Sequence, residues 1–248
     1  MLGSKGHKLT QKIIQCWVYG LQQIHRYGLP TLTINIVGDS IDRNTCPLIL
    51  ANHQSFMDII LLFWAYPLRT CPKYVLKKPL IYMPVIGISW WLLDYPFLGR
   101  SKNSQTDNLA ALKQEIKQQK RSPSPLIIFP EGHRFAQKYH KPNSPYKHLL
   151  PPHPIGCALL MEGFLSLNRP IYTTTIVYHD QPSPSLWQCL CGAVSTITIQ
   201  VKKLDAQKIP RQTQLNYRRA FWNWIMSTWQ QLDQRIGALK NTNLDSKQ

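Results

Sequence analysis

Two short stretches of this chain gather residue types that can move a proton and grip an anion. The first is Asn52-His53-Gln54-Ser55-Phe56-Met57-Asp58, directly after the apolar run Leu48-Ile49-Leu50-Ala51. The second is Phe129-Pro130-Glu131-Gly132-His133-Arg134, directly after Leu126-Ile127-Ile128. A histidine works as a general base when a carboxylate holds its ring in one tautomer and stabilises the imidazolium formed on proton uptake. His53 and Asp58 are residues of those two types, close in sequence. In the second stretch Arg134 offers a planar fork of donors suited to phosphate, and Gly132 permits close backbone approach. Glu131 stands beside them. A base with its acid in one place, and an acid with an arginine in the other, point to group transfer onto a hydroxyl of an anionic molecule. If the substrate brings the hydroxyl, no serine nucleophile is needed.

Each stretch also has a plainer account. A histidine followed shortly by an aspartate arises easily by chance. Ser55-Phe56-Met57-Asp58 reads as a capping box before the apolar run Ile59 to Phe63, which explains Asp58 without chemistry. The two accounts are compatible, because a capped helix start fixes the turn and its carboxylate can still hold an imidazole. Glu131 and Arg134 could be a surface pair of little energetic worth. The same arrangement after two separate strands makes accident a poor account of both.

The elements that must position these residues alternate. Strands are expected at Leu32–Val37, Pro47–Ala51, Tyr74–Leu76, Tyr95–Leu98, Leu126–Phe129, Ile171–Val177 and Thr196–Val201. Helices are expected at Leu9–Ile24, Phe56–Trp64, Leu80–Leu92, Thr106–Gln119, Ile155–Phe164 and Thr213–Gln234. Alternation of this kind predicts an α/β fold, a largely parallel sheet flanked by helices on both faces, with an N-terminal amphipathic helix and a C-terminal helix. In such a sheet, sites form beyond the carboxyl ends of the strands, where both stretches fall. Tyr139 to Pro154 and Asp180 to Leu186 read as loops. The final helix carries Phe221, Trp222, Trp224, Ile225 and Trp229; packing on the core is the default reading, and membrane docking beside Arg218 and Arg219 is the alternative.

Composition limits the partners. Lys and Arg number 29 against 12 Asp and Glu, a formal charge of +17. That excess speaks of anionic partners: a membrane surface, a phosphorylated ligand or nucleic acid. The basic residues are dispersed and no nucleic-acid-binding motif is visible, so no nucleic acid is expected. The six cysteines, Cys16, Cys46, Cys71, Cys157, Cys189 and Cys191, form no paired CxxC units and read as reduced thiols. No window reaches the roughly 18 uninterrupted apolar residues of a spanning helix. Leu9, Ile13, Ile14, Trp17, Val18, Leu21 and Ile24 recur at helical spacing among basic and amide residues. That helix either lies in an anionic interface or packs its stripe on the domain. Pro79 to Phe97, with Tyr82, Trp90, Trp91 and Tyr95, has interfacial character and reads first as a buried helix.

At these residues a family resemblance emerges. Asn-His-x4-Asp followed by Phe-Pro-Glu-Gly-x-Arg resembles the glycerolipid acyltransferases, specifically the 1-acylglycerol-3-phosphate O-acyltransferase family. Tyr74-Val75-Leu76-Lys77-Lys78-Pro79-Leu80 with Met83-Pro84-Val85-Ile86-Gly87 is similar to its second block. Phe97-Leu98-Gly99-Arg100 resembles its phosphate-contacting arginine segment, and Arg169 to Tyr178 its fourth block. Glu131 to Phe135 and Ser144 to Pro151 resemble the branch with lysocardiolipin acyltransferase and its bacterial relatives. The resemblance covers roughly residues 45 to 180.

The resemblance implies transfer of a fatty acyl group from acyl-CoA or acyl carrier protein to the free hydroxyl of a lysophospholipid. The first candidate is 1-acylglycerol-3-phosphate; lysocardiolipin and lysophosphatidylglycerol are alternatives. His53 would be the base and Asp58 its orienter. Glu131 would position the hydroxyl, with Asn52 and Gly132 beside it. Arg134, Arg100 and Lys77 would hold the phosphate. No metal and no cofactor beyond the acyl donor are implied. The chain would sit on the cytoplasmic face of a membrane as a peripheral or monotopic protein. Its parts would be a membrane-contacting helix over residues 1–30, an acyltransferase domain over 31–238 and a polar tail over 239–248.

The sequence departs from the family at His133, where Thr or Ser is usual, and at Pro151-Pro152-His153-Pro154-Ile155-Gly156, where a lysine and paired small residues are more frequent. Two other classes compete. A metal-dependent hydrolase would use His133, His140, His148 and His153 with Glu131, at irregular spacing. A basic membrane- or nucleic-acid-binding protein without catalysis would owe its function to charge alone.

Overall fold

The computed structural model describes residues 12, 16, 19, 20, 23, 26, 27, 32–66, 71–82, 86–99 and 104–245. Lys12, Cys16, Tyr19, Gly20 and Gln23 have helical backbone, in agreement with a helix over Leu9–Ile24. The apolar stripe expected along that helix lies outside the described residues.

The elements run β1 (Thr33–Gly38), β2 (Leu48–Ala51), α1 (Met57–Ala65), β3 (Lys73–Tyr74), β4 (Leu76–Lys77), α2 (Ile86–Leu92), β5 (Phe97–Leu98), α3 (Gln105–Arg121) and β6 (Leu126–Ile128). They continue as α4 (Pro154–Ser166), β7 (Ile171–Tyr178), α5 (Leu186–Leu190), β8 (Thr196–Lys203) and α6 (Tyr217–Asp245). Six strands form one sheet in the order β1-β8-β7-β2-β6-β3, and β4 pairs with β5 in a second. Among the described residues, only the β7–β8 pair is antiparallel. The α/β architecture with a largely parallel sheet is the one the alternation predicts.

Parallel strands covered on both faces read as continuous apolar runs. β2, β6 and β7 fit, every residue being buried. Leu48 and Leu50 pack into one core cluster with α3, α4 and α6 residues such as Leu112, Phe164 and Trp229. Ile49 and Ala51 pack into the other with Ile59 and Leu61 of α1. Helices therefore cover both faces, as period-two side chains require. Fully burying one Leu or Ile of this kind stabilises the fold by roughly 1.5–3 kcal/mol.

β2 stands in register with β6 on one side and with β7 on the other, Leu48 opposite both Leu126 and Ile171. The three strands leave the sheet at one edge. β7 runs on to Tyr178, whereas Ala51, the end of β2, pairs with Thr174. The last turns of β7 thus overhang the exit of β2.

Several elements differ from expectation for identifiable reasons. The helix expected over Leu80–Leu92 is a 3-10 turn at Lys78–Tyr82 followed by α2, with residues 83–85 outside the described set. Gly87 permits α2 to approach the 3-10 turn closely: a Cβ there would lie 2.3 Å from the Ile81 carbonyl oxygen. α5 begins at the end of the loop expected over Asp180 to Leu186: Ser185-Leu186-Trp187-Gln188 is a capping-box signature, and both reciprocal bonds form. α6 extends to Asp245, past Gln234 and into the stretch read as a polar tail. Leu239 packs on the core there, and the neighbouring Ala238 and Lys240 are good helix formers. Its Phe221, Ile225, Trp229, Leu232 and Ile236 are buried, which is the core-packing reading of that stripe. Trp222 is half-exposed. Among the described residues, no helix is long and apolar enough to cross a membrane, and the cysteines are free thiols.

Candidate active site

His53 leaves the end of β2, and Asp58 sits in the first turn of α1. His53 Nδ1 lies 2.8 Å from Asp58 Oδ2. The same oxygen accepts the backbone N–H of Gln54 at 2.6 Å and of Ser55 at 2.9 Å. Asp58 Oδ1 accepts the Tyr178 hydroxyl at 2.6 Å, from the overhanging end of β7. A carboxylate so placed is an acceptor only, so the imidazole presents N–H at Nδ1 and keeps its lone pair at Nε2. Asp58 is fully buried while the His53 side chain is 17% exposed. The ring stacks on Phe129, centroids 4.0 Å apart. The result is an oriented imidazole with its acid in a dry pocket.

The capping box forms only in half: the Asp58 N–H bonds the Ser55 carbonyl rather than its hydroxyl, and Phe56, the residue before α1, makes no side-chain cap. Ser55 Oγ accepts the Met57 N–H, and Asp58 bonds back to the Ser55 N–H. One carboxylate closes the start of α1 and orients the histidine.

Asn52 and Glu131 are both buried and make backbone contacts. The Asn52 side chain accepts from Ile176 N–H at 2.7 Å and donates to Ile176 O at 3.0 Å, so it extends the β2–β7 pairing by one rung. Glu131 Oε1 accepts the His53 N–H at 3.0 Å, and Oε2 accepts the Leu150 N–H at 2.7 Å. Burial pushes the Glu131 pKa up to about 8, against the two amide donors, which lower it. The geometry makes Glu131 a brace between the exits of β2 and β6, with 2% of its surface exposed. The Phe135 N–H donates to His53 O at 2.7 Å and closes the same junction from the other side.

Beside this dry core lies a basic rim. Lys77, at the end of β4, places Nζ 3.1 Å from His133 Nδ1. The ammonium has only hydrogens to give, so Nδ1 accepts and the imidazole hydrogen sits on Nε2. Gly132 has φ +66, and a Cβ there would meet the His153 ring at 2.9 Å, so glycine is required on both counts. Desolvation first, and the Lys77 charge second, hold the His153 pKa below the ordinary histidine range. Arg134 is exposed. Arg100 lies outside the described residues; Gly99 before it is fixed by Asn108, which accepts its N–H and donates to its carbonyl.

Among the described residues, no three His, Cys, Asp or Glu side chains gather as metal ligands. His140, one member of the metal constellation weighed from sequence, instead contacts the Tyr146 carbonyl at 2.6 Å. The sequence reading missed Tyr178, Phe129 and Leu150. Tyr178 carried a usable signal, a polar-tipped aromatic closing an apolar strand at the exit edge.

A three-layered α/β sheet with a carboxylate-held histidine at a strand exit and a basic rim defines a class of group-transfer fold. The Acyltransferase family model matches residues 33–174, and the chain belongs to that family. It is 30% identical over 181 residues to 1-acyl-sn-glycerol-3-phosphate acyltransferase 3 of Arabidopsis thaliana, covering 66% of this chain and 46% of that protein. It is 23% identical over 176 residues to 1-acyl-sn-glycerol-3-phosphate acyltransferase delta of Homo sapiens, covering 66% and 46%. The chain thus spans about half the length of these relatives. The fold is similar to that of PlsC, the 1-acyl-sn-glycerophosphate (LPA) acyltransferase from Thermotoga maritima, with a TM-score of 0.50 and 20% identity over 86% of this chain and 79% of that one.

Proposed function

We propose that this protein transfers a fatty acyl group from a thioester donor, acyl-CoA or acyl carrier protein, to the free hydroxyl of a lysophospholipid. The acceptor that fits best is 1-acylglycerol-3-phosphate, giving phosphatidic acid. The observation that carries the reading is the 2.8 Å contact of His53 with a buried Asp58 at the exit of β2. His53 Nε2 takes the acceptor's hydroxyl proton as its oxygen attacks the thioester carbonyl. The C–S bond breaks, the ester bond forms, and the imidazolium returns the proton to the departing thiolate. Such a base is worth about 10²–10⁴-fold in rate.

In this proposal Lys77, Arg134 and Arg100 hold the acceptor's phosphate on the rim. Asn52, Gly132 and Glu131 shape the site through the backbone. Glu131 positions the acceptor hydroxyl indirectly, by fixing His53, in place of the direct contact that the family resemblance implies. The chain works at an anionic membrane surface, with the segment over residues 1–30 as one contact. Tyr82, Ile88 and Trp91, respectively 86%, 58% and 59% exposed, follow Lys77 and Lys78 in the chain and support a second contact next to the site. The cytoplasmic face supplies both acyl donors.

The experiment is turnover of the purified chain on vesicles with a panel of lysolipids and both donors, products read by mass spectrometry. Phosphatidic acid from 1-acylglycerol-3-phosphate is expected. Product from no lysolipid would end the reading. His53→Ala is expected to abolish transfer while lysolipid binding survives, and retained turnover in that variant would contradict the base assignment.

A further inference from the structure

The C-terminal helix carries polar groups that a helix packed only as core would not bury. α6 lies beyond the 33–174 stretch matched by the family model. Its Trp229 is fully buried and Asp233 is 6% exposed, on the same helix face as buried Phe221, Ile225 and Ile236. A carboxylate on an apolar face is costly unless it is well bonded.

Each of these groups bonds to one loop. Asp233 Oδ2 accepts the Lys147 N–H at 2.9 Å and Oδ1 accepts the His148 N–H at 2.7 Å. Trp229 Nε1 donates to Leu150 O at 3.1 Å. The Tyr146 hydroxyl reaches Met226, one turn earlier. Met226, Trp229 and Asp233 stand at helical spacing, so one face of α6 grips Tyr146, Lys147, His148 and Leu150. The other side of that segment faces the site. Leu150 N–H donates to Glu131 Oε2, and Glu131 Oε1 accepts the His53 N–H. A hydrogen-bonded path therefore runs from the C-terminal helix to the backbone of the base. Both backbone polar groups of Leu150 are engaged, its carbonyl by Trp229 and its N–H by Glu131.

We propose that Trp229 and Asp233 are positioning residues for acyl transfer, holding His53 in register through the 146–150 segment and Glu131. The proposal rests on the acyl-transfer reading for its kinetic test but not for its structural one. Trp229→Phe keeps the ring and deletes one N–H. Asp233→Asn turns one acceptor into a donor facing an amide.

The test compares wild type with Trp229→Phe, and with Asp233→Asn where that variant folds, by steady-state kinetics and amide hydrogen exchange. Loss of one such bond predicts a kcat about five- to tenfold lower. KM for donor and lysolipid is expected to stay within about twofold, because neither residue touches the phosphate rim. The amides of Leu150 and His53 are expected to exchange faster, with those of Thr173 to Val177 in β7 unchanged. Wild-type kcat in Trp229→Phe would overturn the proposal. So would a fall in kcat with exchange raised evenly across the sheet, since the helix would then act only through global stability. If the wild-type chain acylates no lysolipid, the functional reading fails, and exchange at His53 alone decides the relay: an unchanged His53 amide in the variant sinks it.

Discussion

The two halves of the site are built in opposite ways. The base half is dry and closed: Asp58 accepts from His53, Gln54, Ser55 and Tyr178 and is fully buried. The anion half is open and basic: Lys77 leans on an exposed His133, and Arg134 faces solvent. Low dielectric around the base makes each of its contacts count, whereas charges on the rim are screened. Under the proposed function, proton transfer is fixed by the fold, while recognition of the head group falls to a surface that can be altered cheaply. The departures from the family at His133 and at Pro151 to Gly156 fall on the open half or against it.

Four measurements break or sharpen that contrast. The largest effect belongs to Asp58→Ala, which leaves the His53 ring without its orienting acid and two amides without an acceptor. A loss of kcat on the order of 10²–10⁴-fold is expected; kcat within tenfold of wild type would make Asp58 a helix cap and nothing more. Arg134→Ala comes next and acts on binding. KM for lysophosphatidic acid is expected to rise about tenfold with kcat held, as for a lost charge-assisted contact. An unchanged KM would remove Arg134 from the anion half. Third, Tyr178→Phe strands one oxygen of a buried carboxylate, so a stability loss of about 1–3 kcal/mol is expected in denaturant titration. Stability equal to wild type would show that water satisfies Asp58 there, and the base half would not be dry.

The smallest effect concerns pH. Burial raises the Glu131 pKa to about 8 from an ordinary 4.5. The folded chain thus holds a proton that the unfolded chain has released, and stability from this group is fully present below about 4.5 and lost as pH rises through about 8. Glu131→Gln is expected to flatten that decline in melting temperature between those two values. A wild-type slope kept in the variant would assign the titration to another group.

The legible and illegible parts of this molecule divide along the same line. That His53, Asp58 and Glu131 come together was readable because residue type and short spacing after an apolar run carry the signal. The His53–Asp58 contact is local, five residues apart. What Asn52 and Glu131 bond to was not readable. Their partners, Ile176 and Leu150, lie 124 and 19 residues away, and nothing in a side chain's type says which backbone amide will need it. The 3-10 turn at Lys78–Tyr82 and the helix α5 follow from turn and cap chemistry that propensity alone passes over. The parallel sheet was legible from strands alternating with helices, and the reversal between β7 and β8 was not, since both orientations fit the same strand pattern.

Under the proposed function, the overhang of β7 ties activity to the completion of folding. Tyr178 and Ile176 reach Asp58 and Asn52 across 120 and 124 residues of intervening chain. Loop closure over such a span comes late and gains little until the neighbouring strands are seated. A molecule with its helices formed but β7 undocked has its histidine and aspartate in place in the chain and no floor beneath them. Regained turnover should therefore lag behind regained helical circular dichroism when the denatured chain is refolded, making acyl transfer a late clock for assembly of the whole sheet.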